Sequence, residues 1–234
     1  MKEINMANIC IFDAYGTLFD VMSAARMLAN EKAYDKFSKY SEKVSNTWRI
    51  KQLEYTWLRN IMDDYSDFWQ ITKDGLDFAL EESRIQNTQL RNRLLDLYWN
   101  LSAYSEARGV LIALKSNNIR TGILSNGSRD MLDSAVKSAN LNDNLDVVLS
   151  IDKIKIYKPD PKVYQMVLDH FNCTKGDVLF ISSNGWDISG ASKFGFKTLW
   201  VNCNFNPQDR LNFKPWKIVN NLSTIPRIVK ELNE

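Results

Sequence analysis

The chain reads as an α/β protein, a doubly wound parallel (Rossmann-like) sheet core with an inserted helical cap, on three observations. Five short apolar runs, Ile9–Asp13, Thr121–Ser125, Val147–Ser150, Val178–Ser182 and Thr198–Asn202, have the character of buried parallel strands. Stretches with helical periodicity, among them Glu106–Ser116, Met131–Ala139 and Lys162–His170, lie between them, and that alternation implies connections on both faces of one sheet. The span from Val21 to Asn100 shows no strand pattern and is rich in aromatics and long helix formers, which marks it as an insertion after the first strand. The core then comprises residues 1–20 and 101–234, and the cap residues 21–100.

Taken in order, the first strand ends in a carboxylate, Asp13, and breaks into the glycine-containing loop Ala14-Tyr15-Gly16-Thr17-Leu18-Phe19. In the cap, Thr47 to Arg59 has few helix breakers. Arg49, Leu53 and Trp57 share one face of that helix, so Arg49 projects among apolar neighbours, as it would if the cap folded down over a site. Trp48, Trp57, Tyr65 and Trp69 are expected to pack, and leftover apolar cap surface would suit a two-fold homodimer.

The second strand ends in Ser125-Asn126-Gly127-Ser128, a turn into a helix that offers a hydroxyl and backbone N–H groups to an oxyanion. In Ile156-Tyr157-Lys158-Pro159-Asp160-Pro161 the prolines hold the backbone, so Lys158 is aimed as a point charge. Asp160 and Pro161 form a helix start as N-cap and first helical residue. The fourth strand ends in Ser182-Ser183-Asn184-Gly185-Trp186-Asp187. Each cluster alone has a bland reading as a turn or a surface loop. Together, each at a strand's carboxyl end where such sheets bind ligands, they are specific.

Composition sets outer limits. A chain of 234 residues with 44% hydrophobic and 25% charged residues has the make-up of a soluble globular protein. A net charge of +2 gives no case for a nucleic-acid or membrane surface. No segment approaches the roughly 20 apolar residues of a membrane span, and no signal-peptide pattern is expected at the N-terminus. Cys10, Cys173 and Cys203 are odd in number and far apart, two of them on apparent core strands. This suggests a reducing cytoplasm with neither a disulfide framework nor a zinc site. The only histidine, His170, lies in an amphipathic stretch and reads as structural, so any base is a carboxylate.

The order Asp13, Ser125, Lys158, Asp187 resembles the four-motif pattern of the haloacid dehalogenase superfamily, and within it the chain closely resembles the L-2-haloacid dehalogenases. The likeness covers nearly the whole length and includes Asp13 to Val21, Lys51 to Arg59 in the cap, Ser125 to Ser128, Tyr157 to Asp160, Ser182 to Asn184, and Trp186-Asp187. It implies Asp13 as nucleophile, Thr17 as a residue positioning it, and Arg49 as receiver of departing halide. Ser125 and Asn126 are implied as the cradle of the substrate carboxylate, helped by the Tyr15 backbone. Lys158, Tyr164, Ser182, Asn184 and Asp187 are the remaining polar shell, and Tyr15, Leu53, Phe68 and Trp186 the apolar wall. One departure stands out: Ile50 occupies a position where the family often has glutamine, which should change pocket polarity and size.

Tyr15 carries the chemical argument. Most superfamily members are magnesium-dependent phosphatases with a second Asp two residues after the first. A phosphatase needs a general acid to protonate its alkoxide leaving group, whereas halide leaves without a proton. Two anions about 4 Å apart repel by roughly 4 kcal/mol at an effective dielectric near 20, and Lys158 and Arg49 offset this where phosphatases use magnesium. With Tyr15, and with Ser183 where phosphatases commonly have an acid, the carboxylates are too few for a strong hard-cation site, so neither metal nor other cofactor is expected. Asp187 orients or deprotonates the hydrolytic water, or pairs with Lys158. The resemblance thus implies hydrolysis of L-2-haloalkanoic acids with inversion through an ester on Asp13. The partners are haloacid, water and halide, with no nucleic acid and no membrane. The alternatives are a divergent magnesium-dependent phosphatase and a non-catalytic carboxylate-binding homologue.

Overall fold

The computed structural model describes residues 7–234; residues 1–6, placed with the core above, lie outside the described residues. Strands β1 (Ile9–Phe12), β2 (Arg120–Ser125), β3 (Val147–Ser150), β4 (Val178–Ser182), β5 (Lys197–Val201) and β6 (Lys217–Val219) form one parallel sheet in the order β3-β2-β1-β4-β5-β6. Every residue of β1 and β4 is buried, as expected of strands covered on both faces. Chain order reverses about β1, which pairs with β2 on one side and β4 on the other. Ligands bind at such a switch point, outside the carboxyl ends of the strands. Asp13 follows the last residue of β1 and therefore lies there.

The five expected strands are present, with ends shifted by one residue at most. The sixth, β6, was not anticipated. It has three residues, none fully buried, and begins with a lysine. Such a short, charged edge carries almost no apolar signal, and its shortness limits pairing with other chains. One further expectation is corrected: only Cys10 lies on a strand, while Cys173 follows a helix and Cys203 lies beyond β5.

Between β1 and β2 run the helices α1 (Ser23–Ala29), α2 (Ser41–Met62), α3 (Phe68–Glu82) and α4 (Thr88–Trp99). On α2 the row Val44, Trp48, Gln52, Thr56 recurs every fourth residue and is buried. There the Trp48 indole N–H donates to the Thr72 carbonyl of α3 at 2.7 Å. The two ends of this helical insertion lie side by side: Asp20 N–H donates to Ser102 O (2.9 Å) and Tyr104 N–H to Leu18 O (2.9 Å). The far side is tied down too. The Asn60 carboxamide accepts from Tyr157 N–H (3.0 Å), the Tyr65 hydroxyl donates to Asp152 (3.0 Å), and Trp57 meets Trp186 edge-to-face at 5.4 Å. The insertion therefore closes over the sheet edge that carries Asp13.

The remaining helices, α5 (Ala107–Ser116, leading into β2) and, after β2, α6 (Arg129–Ser138), α7 (Pro161–Phe171), α8 (Gly185–Phe194) and α9 (Ile225–Asn233), cover the sheet. The α7 start is as expected, with Pro161 in the first turn and the Asp160 carboxylate accepting from Lys162 N–H at 2.8 Å.

Candidate active site

Three donors hold the carboxylate of Asp13. The Lys158 ammonium reaches Oδ1 at 2.9 Å, and Oδ2 accepts from the Thr17 hydroxyl at 3.0 Å and the Asn184 amide at 2.9 Å. Each donor arrives from a different piece of local structure. Thr17 is returned to Asp13 by a tight turn in which Ala14 O accepts from the N–H groups of Thr17, Leu18 and Phe19. Gly16 in that turn has φ 92°, a left-handed conformation that favours glycine. Thr17 Oγ1 in turn accepts from Ser183 N–H (2.8 Å), which joins the β1 loop to the β4 loop. Asn184 caps the start of α8, and its own N–H is held by the Ser182 hydroxyl at 3.1 Å.

Lys158 is wholly buried and stands between two carboxylates, 2.9 Å from Asp13 Oδ1 and 2.9 Å from Asp187 Oδ2. Burial opposes its charge, but Asp13 and Asp187 more than offset this, and its pKa ends raised. Asp187 is also fully buried. Burial, opposed by Lys158 and reinforced by the charge of Asp13, leaves its carboxyl raised to about 6. Its Oδ1 accepts from the Tyr164 hydroxyl at 2.8 Å. The Lys158 backbone N–H donates to the Asn126 carboxamide at 2.9 Å, which ties this loop to the turn after β2.

A second cation comes from the insertion. Arg49 donates to Tyr15 O (3.1 Å), to Asn184 Oδ1 (3.2 Å) and to Gln52 Oε1 (2.8 Å). Asn184 thus bridges Arg49 and Asp13. The Tyr15 ring is buried in an aromatic wall, 5.6 Å from Phe68 and stacked 6.0 Å from Tyr98 at 12°. Burial, then Tyr98 and Asp13, drives its phenol far above the ordinary range, so it stays neutral. Formal charges balance: Asp13 and Asp187 against Lys158 and Arg49.

Of the residues expected here, Asp13, Thr17, Arg49, Lys158, Asn184 and Asp187 form one hydrogen-bonded network, with Tyr164 at its far end. Asn126 adjoins it through the Lys158 backbone N–H, and Ser125 precedes Asn126 in the same turn, its Oγ accepting from Gly127 N–H at 3.0 Å. Tyr15 and Phe68 form the wall, while Leu53 and Trp186 are half-buried, Trp186 against Trp57 of α2. Ser182 makes no bond to Asp13 and shapes the Asn184 turn instead. The expectation for Ile50 is corrected: its side chain is 61% exposed on the outer face of α2 and does not line the closed site. Two residues were missed, Gln52 and Tyr98. Gln52 carried a signal, a polar residue inside the otherwise buried fourfold row of α2; Tyr98, at the end of α4, carried none.

The donor set does not suit magnesium. Among the described residues no group of three or more His, Cys, Asp or Glu side chains gathers, and the space between Asp13 and Asp187 is taken by the Lys158 ammonium. A hard cation seeks about six oxygens.

A family model for haloacid dehalogenase-like hydrolases matches residues 7–195. The chain is similar to (S)-2-haloacid dehalogenase 1 of Pseudomonas sp. (strain CBS-3), 45% identical over 227 residues, which are 96% of this chain and 97% of that relative. It is also similar to a crystal structure of a dehalogenase with an intermediate complex, at 42% identity and a TM-score of 0.90, covering 95% of this chain and 97% of that one. A third likeness is to the L-2-haloacid dehalogenase of Xanthobacter autotrophicus with chloropropionic acid covalently bound, at 34% identity, a TM-score of 0.85, and 96% and 99% coverage.

Removing the bridging ammonium tests the electrostatics directly. Lys158→Met leaves two buried carboxylates without their counter-charge, which costs about 3–5 kcal/mol of stability. Asp187, whose carboxyl burial raises and Lys158 lowers in the unaltered protein, then titrates higher still in the fold than in the unfolded chain. Stability from such groups is complete below the unfolded carboxylate range and is lost as pH rises through the folded value. The deficit against the unaltered protein, read from urea unfolding, is therefore smaller at about pH 5 than at about pH 8.

Proposed function

The chain belongs to the haloacid dehalogenase-like hydrolase family, and we propose that it hydrolyses L-2-haloalkanoic acids to 2-hydroxy acids with inverted configuration, through an ester on Asp13. One observation carries the reading: Tyr15 turns a neutral ring into the aromatic wall where a phosphatase needs an acid, while Arg49 reaches the nucleophile through a single bridging residue, Asn184.

In the first step an Asp13 oxygen attacks the halogen-bearing carbon in line. The carbon–halogen bond breaks with its electron pair on the halogen, and the negative charge of Asp13 is carried off as halide toward Arg49. The substrate carboxylate is held by Ser125, Asn126 and the Tyr15 backbone, and its carbon chain lies against Tyr15, Leu53, Phe68 and Trp186. In the second step water attacks the Asp13 carbonyl carbon. Asp187, pushed up to about 6 by burial and Asp13 while Lys158 pulls down, accepts the water's proton and returns it to the departing alkoxide. Lys158, Thr17 and Asn184, already on the Asp13 oxygens, stabilise the oxyanion that forms there. Configuration inverts once, at the first step. The phosphatase alternative is disfavoured by the neutral Tyr15 and the lysine-filled carboxylate pair.

Residues 21–100 are read as a cap subdomain that excludes water from the displacement. Three free cysteines fit a reducing, cytoplasmic setting; among the described residues no helix is long and apolar enough to cross a membrane. The cap also points to a homodimer. Ile50 (61%), Leu58 (43%), Ile61 (82%) and Met62 (62%) are exposed on one helix, α2, and large exposed apolar side chains gathered on one helix fit an interface.

Two measurements test these readings. With excess chelator present, the protein should release chloride from L-2-chloropropionate and yield D-lactate, and Asp13→Asn should lose roughly 10⁴-fold or more in rate; magnesium-dependent phosphate release instead would refute the reading. In light scattering the protein should run as a dimer, and Ile61→Asp with Leu58→Asp should shift it to a monomer.

A further inference from the structure

Gln52 is 1% exposed in the middle of α2, and a buried carboxamide is tolerated only when its partners are present. All of them are. Its Oε1 accepts from Arg49 Nη1 (2.8 Å) and from the Tyr98 hydroxyl (3.2 Å), and its Nε2 donates to Thr72 Oγ1 (2.7 Å) and to the Tyr98 oxygen (3.0 Å). The orientation of the amide is determined by chemistry. Thr72 spends its only hydroxyl proton on Phe68 O (2.7 Å), so it accepts from Gln52, and the amide oxygen must face Arg49.

The three acceptors around Arg49 are a carboxamide oxygen, the Tyr15 carbonyl and the Asn184 carboxamide oxygen. Every one is neutral, and among the described residues Arg49 makes no ion pair. Among the described residues nine other arginine and lysine side chains, besides the buried Lys158, are paired with carboxylates at or near the surface, so the neutral shell of Arg49 is not the habit of the chain. A glutamate at position 52 would fill the same volume and bind the guanidinium more strongly. It would also cancel the positive charge before any halide arrived.

We propose that Gln52 is a positioning residue for halide departure: held by Thr72 and Tyr98, it orients Arg49 through a neutral acceptor and so leaves the guanidinium charge free for the leaving anion. This rests on the reading that Arg49 receives halide. Stabilisation of the leaving group matters more for chloride than for bromide, because bromide leaves more readily and concentrates its charge less. The identity of the halogen therefore separates a positioning role from a merely structural one.

The test is single-turnover halide release from L-2-chloropropionate and L-2-bromopropionate by the unaltered protein and by Gln52→Glu, Gln52→Met, Tyr98→Phe and Arg49→Ala. Gln52→Glu should slow chloride release at least tenfold more than bromide release and weaken inhibition by added bromide at least tenfold, with KM changed less than threefold. Gln52→Met, which keeps neutrality and removes the anchor, should shift the same ratio in the same direction, and Tyr98→Phe by a smaller factor. Should Gln52→Glu fail to fold, Gln52→Met carries the test. Equal slowing for both halogens in the Gln52 variants, with the ratio shifted in Arg49→Ala, would overturn the role of Gln52 alone. An unchanged ratio in Arg49→Ala as well would overturn the halide role of Arg49 and this inference with it.

Discussion

A single, wholly buried ammonium group, Lys158 Nζ, lies 2.9 Å from each of two carboxylates. Without it, Asp13 and Asp187 would be two like charges in a buried space, and one would take up a proton. With it, Asp13, the proposed nucleophile, has a counter-charge on Oδ1, and Asp187 has a carboxyl pushed to about 6, burial being the largest cause. The surrounding structure serves this arrangement. Asn126 holds the Lys158 backbone, Tyr164 holds the far oxygen of Asp187, and Phe180 lies beneath the ammonium at 5.0 Å from its ring centre.

Charge movement then follows from placement. In the displacement proposed above, one negative charge moves from Asp13 toward Arg49, leaving Lys158 with Asp187 as its only anionic partner among the described residues. The loss of the Asp13 charge removes one of the influences that raise the Asp187 carboxyl. The two half-reactions are thus coupled through one lysine. The helical insertion contributes the second cation and the aromatic wall, and its several ties to the core, at Tyr157, Asp152 and Trp186, fix Arg49 relative to Asn184 to within hydrogen-bonding distance.

Much of this was legible in the sequence because strands buried on both faces must be apolar and their polar ends must face the ligand crevice. Asp13 and Ser125 end apolar runs, Lys158 stands beside the prolines that hold its loop, Asp187 completes the order of the four motifs, and Arg49 shows itself by its helical spacing from Leu53 and Trp57. What escaped was set by tertiary contact. The edge strand at Lys217–Val219 is too short and too exposed to leave a periodic trace. Tyr98 looks like any aromatic at a helix end until α4 brings it against Tyr15 and Gln52. Ile50 misled because sequence proximity to Arg49 says nothing about direction: one residue along a helix turns the side chain by about 100°, here from the seam to solvent.

The account turns on whether the Asp13 carboxylate itself becomes bonded to the substrate carbon. One turnover in oxygen-18 water, with enzyme in excess over haloacid, followed by mass measurement of the peptide containing Asp13, decides this. The account requires the heavy isotope in that carboxylate and ordinary oxygen in the new hydroxyl group. Heavy oxygen in the hydroxy acid, with the Asp13 peptide unlabelled, would mean that water displaced the halide directly and would contradict it.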